Sequence, residues 1–358
     1  MRAGVVIENE KVICKEIEEP QISDNCVKVA VAVTGICGSD VPRVWKNGAH
    51  NYPIVLGHEF SGVITEVGKN VKKVQVGDHV AGIPLVPCFE CKDCLAGNFS
   101  LCKHYSFVGS RQQGSMAEYV VLPEENVIKI SDSISLETAA FFEPSTIAKH
   151  GINLVNYQSG KTVIILGGGN IGSFMTQWIH ILGAEKIVVV GRNKEKLERA
   201  LELGATHVVS TLDEDYLEQL NAITNANGYD YVFETAGSNK MIELSIKIVA
   251  NKGTICYVGT PTKEVCLDFK LWEKINRKEA ILTGSWMSYS KPWPGEEWEA
   301  TAREFESGRL KVTESMIHAR YSLEDIDKAF ALYKDNQKPE AKVLIYSDNE
   351  LLKEQKKK

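Results

Sequence analysis

The sequence predicts an α/β protein with two domains: an irregular β domain that holds metal ligands, and a doubly wound parallel sheet. The length of 358 residues exceeds the usual size of a single hydrophobic core. Residues 1–150 contain short β-like segments broken by glycine, and from about residue 160 strand and helix patterns alternate. Such a change of pattern indicates two domains of different architecture.

The first domain is predicted over residues 1–150. Its segments VKVAVAVTGICG, FSGVITEVG and AEYVVL are short, apolar and bounded by turn residues. Segments of this kind are typical of a compact β domain with many turns.

The second domain is predicted over residues 151–285. TVIILGGGN has the pattern of a buried strand that ends in glycines, and an amphipathic helix follows it. KIVVVGRN, HVVS, DYVFETAG, GTICYVG and AILTGSW continue the series of strands. Strands that alternate with helices predict a parallel sheet covered on both faces.

The remaining segment, residues 286–358, is too short for a domain of its own, so we expect it to return to the first domain. It contains the loop SWMSYSKPWPGEEW and one apolar strand, AKVLIY. The closing KEQKKK has charges without apolar partners, which is typical of a solvated chain end.

The composition excludes several classes of partner. A formal net charge of -6 argues against nucleic acid or an anionic membrane as the main partner. The N-terminus lacks the apolar core of a signal peptide, and no segment reaches membrane-spanning length. We therefore expect a cytoplasmic protein.

Four of the nine cysteines form the pattern C-x2-C-x2-C-x7-C, at Cys88, Cys91, Cys94 and Cys102. Four thiolates at these spacings can surround a tetrahedral Zn²⁺ at roughly 2.3 Å each. Unrelated buried cysteines and an iron–sulfur cluster are the alternatives, but ferredoxins usually carry proline where Lys103 follows here. A closed four-thiolate site leaves no position for substrate, so this zinc is predicted to be structural.

A second metal site is predicted from Cys37, His58 and Glu143, in the segments GICGSD, GHEFSG and FFEPS. Each residue alone is more typical of packing or of the surface. Together they offer a thiolate, an imidazole and a carboxylate, which suit a catalytic zinc with an open position. Zinc bound to an alcohol lowers the pKa of the hydroxyl and stabilises the alkoxide that donates a hydride.

Three neighbours of these ligands are candidates for supporting roles. Ser39 is predicted to accept the alcohol proton and pass it towards solvent or a cofactor ribose. Asp40 is predicted to hydrogen-bond His58 and fix its tautomer. Glu59 is predicted either to exchange onto the metal or to form a buried pair with an arginine.

A dinucleotide site is predicted at Gly167, Gly169 and Gly172, with Asn170 and Ile171 opening the helix. The glycines follow a strand and precede a helix, and in this context the G-x-G-x-x-G pattern indicates dinucleotide binding. They allow backbone N–H groups to approach a pyrophosphate at the helix N-terminus.

The end of the second strand favours NADP over NAD. It carries Gly191 and Arg192 without an acid, whereas an acid there would select NAD through the ribose 2′-hydroxyl. Arg192 and Lys196 are predicted to contact a 2′-phosphate. The alternative is that Arg192 is only a solvated loop residue.

In this order, GICGSD, GHEFSG, the four-cysteine pattern, FFEP and GGGNIG resemble the zinc-containing medium-chain dehydrogenases over essentially the whole chain. The resemblance implies a GroES-like catalytic domain, a Rossmann domain and a cleft between them. It also implies catalytic zinc at Cys37, His58 and Glu143, structural zinc at the four clustered cysteines, and a homodimer or homotetramer.

Further segments resemble the branch of the family that acts on phosphorylated sugar alcohols: VPRVWKNGAHNYPIVLGHEFSG, PLVPCFECKDC, FVGSRQQG and GSWMSYSKPWPGEEW. This implies galactitol 1-phosphate and tagatose 6-phosphate as the substrate pair. Gly191 replaces the Asp of NAD-using relatives, which puts the cofactor in doubt rather than the reaction.

A phosphorylated substrate needs local cations, and Arg43, Lys46 and Arg111 are the candidates. Each is otherwise an ordinary surface residue. Sorbitol, butanediol and threonine dehydrogenases share the framework, so an unphosphorylated substrate stays open. A non-enzymatic zinc protein and a zinc-ribbon nucleic-acid binder are more remote alternatives.

Overall fold

The computed structural model describes residues 1–334, 339–347 and 349. The basic end 353–358, predicted to be solvated, lies outside these residues. Within them, no helix has the length and apolar character needed to cross a bilayer.

The strands, in chain order, are β1 (Arg2–Glu8), β2 (Lys11–Glu16), β3 (Cys26–Gly35), β4 (Ile54–Val55), β5 (Glu59–Val67), β6 (His79–Gly82), β7 (Leu85–Val86), β8 (Ser106–Phe107), β9 (Tyr119–Pro123), β10 (Val127–Lys129), β11 (Thr162–Leu166), β12 (Lys186–Gly191), β13 (His207–Ser210), β14 (Tyr229–Glu234), β15 (Val249–Tyr257), β16 (Ile281–Gly284), β17 (Ile317–Ser322) and β18 (Lys342–Tyr346).

The α-helices are α1 (Asp40–Trp45), α2 (Lys92–Leu95), α3 (Leu136–Ala139), α4 (Phe142–Leu154), α5 (Asn170–Ile181), α6 (Lys194–Glu202), α7 (Tyr216–Ile223), α8 (Asn239–Ile248), α9 (Phe269–Lys278), α10 (Glu296–Glu306) and α11 (Ile326–Ala331). Short 3₁₀ turns occur at Phe99–Leu101, Glu124–Asn126, Glu314–Met316 and Leu323–Asp325.

Two compact units make up the chain. One comprises Met1–Glu143 with the described residues from Tyr289 onward, and the other comprises Pro144–Ser288. The divisions expected from the sequence were 150/151 and 285/286. The first division falls earlier because α4, which begins at Phe142, lies mostly in the second unit.

The first unit is the β domain that the glycine-broken segments predicted, and most strand pairs of its largest sheet are antiparallel. Its largest sheet has the order β10-β6-β5-β3-β18-β17, and β9 also pairs with β3. The returning strand β18 pairs antiparallel with β3, so the C-terminal segment completes a sheet begun by the N-terminal residues. Apolar side chains of β3, β5 and β6 share one core cluster, to which β5 contributes Phe60 and Ile64.

The second unit contains a six-stranded sheet of order β13-β12-β11-β14-β15-β16, and each neighbouring pair is parallel. The first strand in sequence, β11, lies in the middle, and the order runs outward from it in both directions. This arrangement is the doubly wound fold, and it confirms the fold class predicted from the alternating strands and helices.

Candidate active site

The four clustered cysteines meet in a lobe between β7 and β8. One ligand atom from each of Cys88, Cys91, Cys94 and Cys102 lies within 4.8 Å of the others. The Sγ atoms of Cys88 and Cys102 are 3.5 Å apart, and those of Cys88 and Cys94 are 3.9 Å apart. A zinc tetrahedron with bonds of about 2.3 Å has edges of about 3.8 Å, so the four sulfurs fit Zn²⁺.

Aromatic residues of the returning segment hold this lobe. The ring of Trp293 meets those of Phe89 and Phe99 edge-on, with centroids 5.3 and 5.2 Å away, and it stacks on Tyr289 at 5.4 Å. Tyr289 and Trp293, from the loop SWMSYSKPWPGEEW, therefore pack against the cysteine lobe. Trp286, in the same loop, is half-exposed.

Strand pairing brings Cys37 and His58 together. In the antiparallel pair β3–β5, Gly35 lies opposite Glu59. Cys37 follows Gly35 by two residues and His58 immediately precedes Glu59, so both fall at the same end of the sheet. One ligand atom of each of Cys37, His58 and Glu59 lies within 4.8 Å of the other two.

The predicted third ligand, Glu143, lies in the first turn of α4 and is buried. Burial raises the pKa of its carboxyl group to about 7, although the nearby charge of His58 lowers it. Glu59, rather than Glu143, completes the close set with Cys37 and His58. The structure thus places two carboxylates near one Cys–His pair, and zinc with three protein ligands needs only one of them.

Asp40 lies behind His58, as expected for a residue that orients it. Its Oδ1 is 3.5 Å from His58 Nδ1, and its Oδ2 accepts the Cys37 backbone N–H at 3.1 Å. Among the described residues, no group satisfies His58 Nδ1 with a hydrogen bond of normal length. Because the Asp40 carboxylate faces Nδ1, it favours a proton there, which leaves Nε2 free for a metal.

The charges of this pair shift both pKa values. Burial alone would lower the pKa of His58, but Asp40 and Cys37 raise it well above its usual value. Burial alone would raise the pKa of Asp40, yet His58 and Arg43 lower it. Each of the two side chains thus stabilises the charged form of the other.

Ser39 and Arg43 form the exposed side of this site. Ser39 Oγ lies 3.4 Å from Cys37 Sγ. Arg43 Nη1 donates to the Ser39 carbonyl oxygen at 2.7 Å and to Ser39 Oγ at 3.1 Å, and it is 3.4 Å from Asp40 Oδ1. Arg43 is therefore tied to the residue predicted to take the substrate proton.

The other two predicted phosphate contacts lie on the surface. Lys46, just after α1, is exposed. Arg111 is exposed and stacks over the ring of Tyr105 at 4.3 Å. In the described part of the chain, neither has a recorded contact with Ser39, Cys37 or His58.

Sequence reasoning missed two residues that touch the site. Lys342, at the start of β18, donates to the Glu59 carboxylate, where an arginine was expected to pair. The ring of Phe107 meets His58 edge-on at 5.4 Å. A lysine that opens the apolar strand KVLIY was the one available signal for Lys342, and Phe107 gave none.

The glycine turn of the second unit has the geometry that a dinucleotide needs. Gly167 has φ +119°, and a Cβ on Gly172 would lie 1.9 Å from the Gly167 carbonyl oxygen. Gly169 caps α5, which begins at Asn170 and continues through Ile171. Buried Arg199 supports the turn from below by donating to the Gly168 carbonyl oxygen at 2.9 Å.

At the end of β12 the predicted cofactor residues separate into two groups. Arg192 is exposed, and Asn193 caps α6 by accepting the Lys196 backbone N–H at 2.8 Å. A Cβ built on Gly168 would lie 3.2 Å from the Cβ of Lys196, so Lys196 lies next to the glycine turn. No carboxylate follows Gly191 directly, as the sequence indicated.

Comparison with known protein families supports the domain type assigned to each of the two units. The family profile "Alcohol dehydrogenase GroES-like domain" matches residues 23–132, and "Zinc-binding dehydrogenase" matches residues 170–306. The galactitol 1-phosphate 5-dehydrogenase of Escherichia coli K12 is 39% identical over 319 residues, which is 89% of this chain and 92% of that enzyme. The D-arabitol-phosphate dehydrogenase of Enterococcus avium is 34% identical over 341 residues, 94% of each chain.

The fold comparison gives the same result. The crystal structure of the Escherichia coli galactitol-1-phosphate dehydrogenase superposes with a TM-score of 0.92 at 37% identity, and covers 97% of this chain and 100% of its own. Matches of this extent confirm the predicted resemblance, the GroES-like and Rossmann domains, and an oxidoreductase that uses zinc and NAD(P). The chain belongs to the zinc-containing medium-chain alcohol dehydrogenase family.

Proposed function

We propose that this enzyme oxidises a secondary alcohol of a sugar-alcohol phosphate, galactitol 1-phosphate, to tagatose 6-phosphate. The observation that carries the proposal is the close set of half-buried Cys37 with buried His58 and Glu59, with Glu143 buried nearby and Ser39 exposed beside it. Two relatives that match nearly the whole chain are named for phosphorylated sugar alcohols, and this supports the choice of substrate class.

Cys37, His58 and Glu143 would hold the catalytic zinc in this proposal, and the four clustered cysteines would hold the structural zinc. Zinc supplies the charge that stabilises a developing alkoxide, and the nicotinamide accepts the hydride. Asp40 holds His58 in the tautomer that binds metal. Ser39 accepts the hydroxyl proton, and the Arg43 guanidinium, 3.1 Å from Ser39 Oγ, keeps that oxygen in position.

The phosphate is proposed to bind near Arg43. In the described part of the chain, Arg43 contacts its neighbours through Nη1 alone, which leaves Nε and Nη2 available for a bidentate phosphate contact. Lys46 and Arg111 are exposed cations that would add to the local positive potential. A single lost charged contact is worth about tenfold in kcat/KM.

The experiment that tests the substrate is an initial-rate panel of polyols and their phosphate esters, each with NAD and with NADP. We expect galactitol 1-phosphate to exceed galactitol by at least about tenfold in kcat/KM. Equal values for ester and free polyol would remove the phosphate site, and preference for sorbitol, a butanediol or threonine would replace the substrate class.

We propose NADP as the preferred cofactor, because exposed Arg192 follows Gly191 where an acid would select NAD. Arg192→Ala should raise KM for NADP by about tenfold and leave KM for NAD nearly unchanged. Arg303→Ala, a change at a surface arginine of α10, is the matched control. Equal effects on both cofactors would contradict an Arg192 contact with the 2′-phosphate.

A homodimer is proposed through strand β16. In the described chain, β16 pairs with β15 on one side and forms the outer edge of the six-stranded sheet. Its residues Ile281 and Leu282 are exposed apolar side chains, as are Phe269 and Trp272 of α9. Two copies related by a two-fold axis would pair these edges and cover the apolar residues.

A further inference from the structure

Two chain segments supply the first two proposed metal ligands, and one residue, Ser115, contacts both segments. Its backbone N–H donates to the carbonyl oxygen of Gly57 at 3.0 Å, directly before His58. Its own carbonyl oxygen accepts the Thr34 hydroxyl at 2.9 Å, and its Oγ lies 3.1 Å from the same hydroxyl oxygen. Thr34 lies on β3, three residues before Cys37. The Thr34–Ser115–Gly57 bridge therefore joins the segment of Cys37 to the segment of His58.

This bridge is buried along its whole length. Thr34 and Ser115 are each 1% exposed, and Gly57 is buried as well. Buried carbonyl and hydroxyl groups in folded proteins are almost always hydrogen-bonded, because a buried polar group without a partner costs free energy. Removal of the Thr34 hydroxyl would therefore take a partner from the Ser115 carbonyl oxygen at a place that water does not reach, and the surrounding backbone would shift in response.

Gly57 is the part of the bridge that would shift most easily. Its φ is +97°, in a region that glycine adopts without strain and that other residues rarely adopt. Because glycine is the least restricted residue, it would by itself leave the ligand that follows it poorly fixed. A Cβ on Gly57 would lie 2.8 Å from Ser115 Oγ, 2.8 Å from Thr34 Cγ2 and 2.9 Å from Met116 Cγ. These three side chains therefore enclose Gly57 and limit its freedom.

The position of this glycine bears on how well the protein holds a metal. Metal affinity is higher when the ligands are already held near their bonding separation, because less ordering then accompanies binding. The ligand atoms of Cys37 and His58 lie within 4.8 Å of each other. Asp40 faces the ring of His58, whereas the bridge contacts the backbone that precedes this residue. The two contacts thus fix different parts of the same ligand.

We infer that Thr34 and Ser115 are positioning residues that set the separation between Cys37 and His58 and so determine how tightly the catalytic site binds its metal. The inference rests on the proposed metal site, and it goes beyond that site by assigning its preorganisation to a hydroxyl group on β3. Thr34 and Ser115 act through the backbone of Gly57 and not as ligands.

Two substitutions at Thr34 separate the effect of the hydroxyl from that of the rest of the side chain. Valine has nearly the shape of threonine but no hydroxyl, whereas serine keeps the hydroxyl and lacks the methyl group. We expect Thr34→Val to raise the zinc dissociation constant of the catalytic site at least about tenfold, as is typical when a residue that orients a metal ligand is lost. Thr34→Ser should bind zinc as wild type does. Competition with a chelator of known zinc affinity measures the constant.

Cobalt substitution gives a second measurement, because the visible spectrum of Co²⁺ reports its coordination geometry. Subtraction of the spectrum of Cys37→Ser, which keeps the four-cysteine site, isolates the catalytic cobalt. We expect this spectrum to change in Thr34→Val and to keep its wild-type form in Thr34→Ser. Thr65→Val is the matched control, since the Thr65 hydroxyl of β5 donates to the Lys28 backbone oxygen at 3.3 Å, a bond of the same sheet that does not involve Gly57. Thr34→Ala replaces Thr34→Val if that variant does not fold.

Three results would overturn the role of the bridge. The first is wild-type zinc affinity and cobalt spectrum in folded Thr34→Val. The second is an equal loss of affinity in Thr34→Ser, because packing and not the hydrogen bond would then be responsible. The third is an equal loss in Thr65→Val, because general loosening of the sheet would then explain the effect. A wild-type enzyme that binds only the zinc of the four cysteines would instead remove the proposed catalytic site, so the two failures are distinguishable.

Discussion

Cys37 is the residue on which the proposed chemistry depends most directly, because its thiolate would both bind the metal and neutralise part of its charge. It lies two residues beyond β3, where pairing with β5 brings it to His58. Cys37→Ser should abolish turnover and remove one equivalent of zinc while the thermal unfolding temperature stays close to that of wild type, since serine is nearly isosteric and a poor zinc ligand.

The matched control for this prediction is Cys266→Ser, which changes an exposed cysteine of the second unit. It should keep both zinc equivalents and full activity. Metal analysis and initial rates on the same preparations check both variants, and full activity in Cys37→Ser would remove the assignment of this residue.

At the residue scale, the sequence indicated which residues could bind a metal better than it indicated which residues contact one another in the fold. Cys37 and His58, which the structure brings together, could be named as candidate ligands because metal ligands are confined to few residue types. Which carboxylate accompanies them was not recognisable, because Glu59 and Glu143 become neighbours only through the fold. Lys342 lies almost three hundred positions from Glu59 in sequence, and strand order alone brings them together. Long-range pairs of this kind leave no local signal.

The strand–turn–helix element β11–α5 allows a test of why its glycines are needed. Gly172→Ala would place a Cβ 1.9 Å from the Gly167 carbonyl oxygen, whereas a Cβ on Gly169 has nothing within 4 Å. We therefore expect Gly172→Ala to lower stability by about 1–3 kcal/mol and to weaken NADP binding, with Gly169→Ala close to wild type in stability. Denaturant unfolding and cofactor titration measure both effects. Equal stability of the two variants would contradict the close approach.

Strand β14 ends in a buried glutamate, Glu234, that has no role in the proposed reaction. Glu234 closes β14 with no exposed surface, and its carboxylate accepts the Ala236 and Gly237 N–H groups at 2.9 Å. Burial raises its pKa from 4.5 to about 7, against the effect of these N–H groups. The folded state therefore binds the proton more tightly than the unfolded chain does.

The sign of the pH effect follows from that difference. The stabilisation that protonated Glu234 gives the folded state is fully present below pH 4.5 and is lost as the pH rises through about 7. The free energy of unfolding falls by at most about 3 kcal/mol over this range. Wild type should therefore lose stability relative to Glu234→Gln between pH 5 and pH 8. Calorimetry across this range measures the difference, with exposed Glu264→Gln as control. A difference independent of pH would show that Glu234 does not titrate there.

At the scale of the whole molecule, the sequence predicted the architecture well, because periodicity and glycine placement are local. The strands of residues 162–284 pair parallel, as their alternation with helices predicted. The boundary between the two units near Glu143 was harder to predict from the sequence, because α4 continues through it without a break in helical pattern. The return of β18 to the first unit was expected only in outline, and its pairing and register with β3 came from the structure.

The outer edge of the parallel sheet gives the last prediction. Ile281 is 59% exposed and Leu282 is 37% exposed on β16, and an unpaired apolar edge is unfavourable unless another chain covers it. We expect wild type to sediment as a dimer or as a tetramer built of two dimers, and Ile281→Lys/Leu282→Lys to dissociate the dimer, because two pairs of buried like charges would meet at the two-fold axis. Leu95→Lys changes a leucine of the cysteine lobe that is 71% exposed and should leave the mass unchanged. A monomeric wild type, or a double variant of unaltered mass, would show that β16 is not the contact between copies.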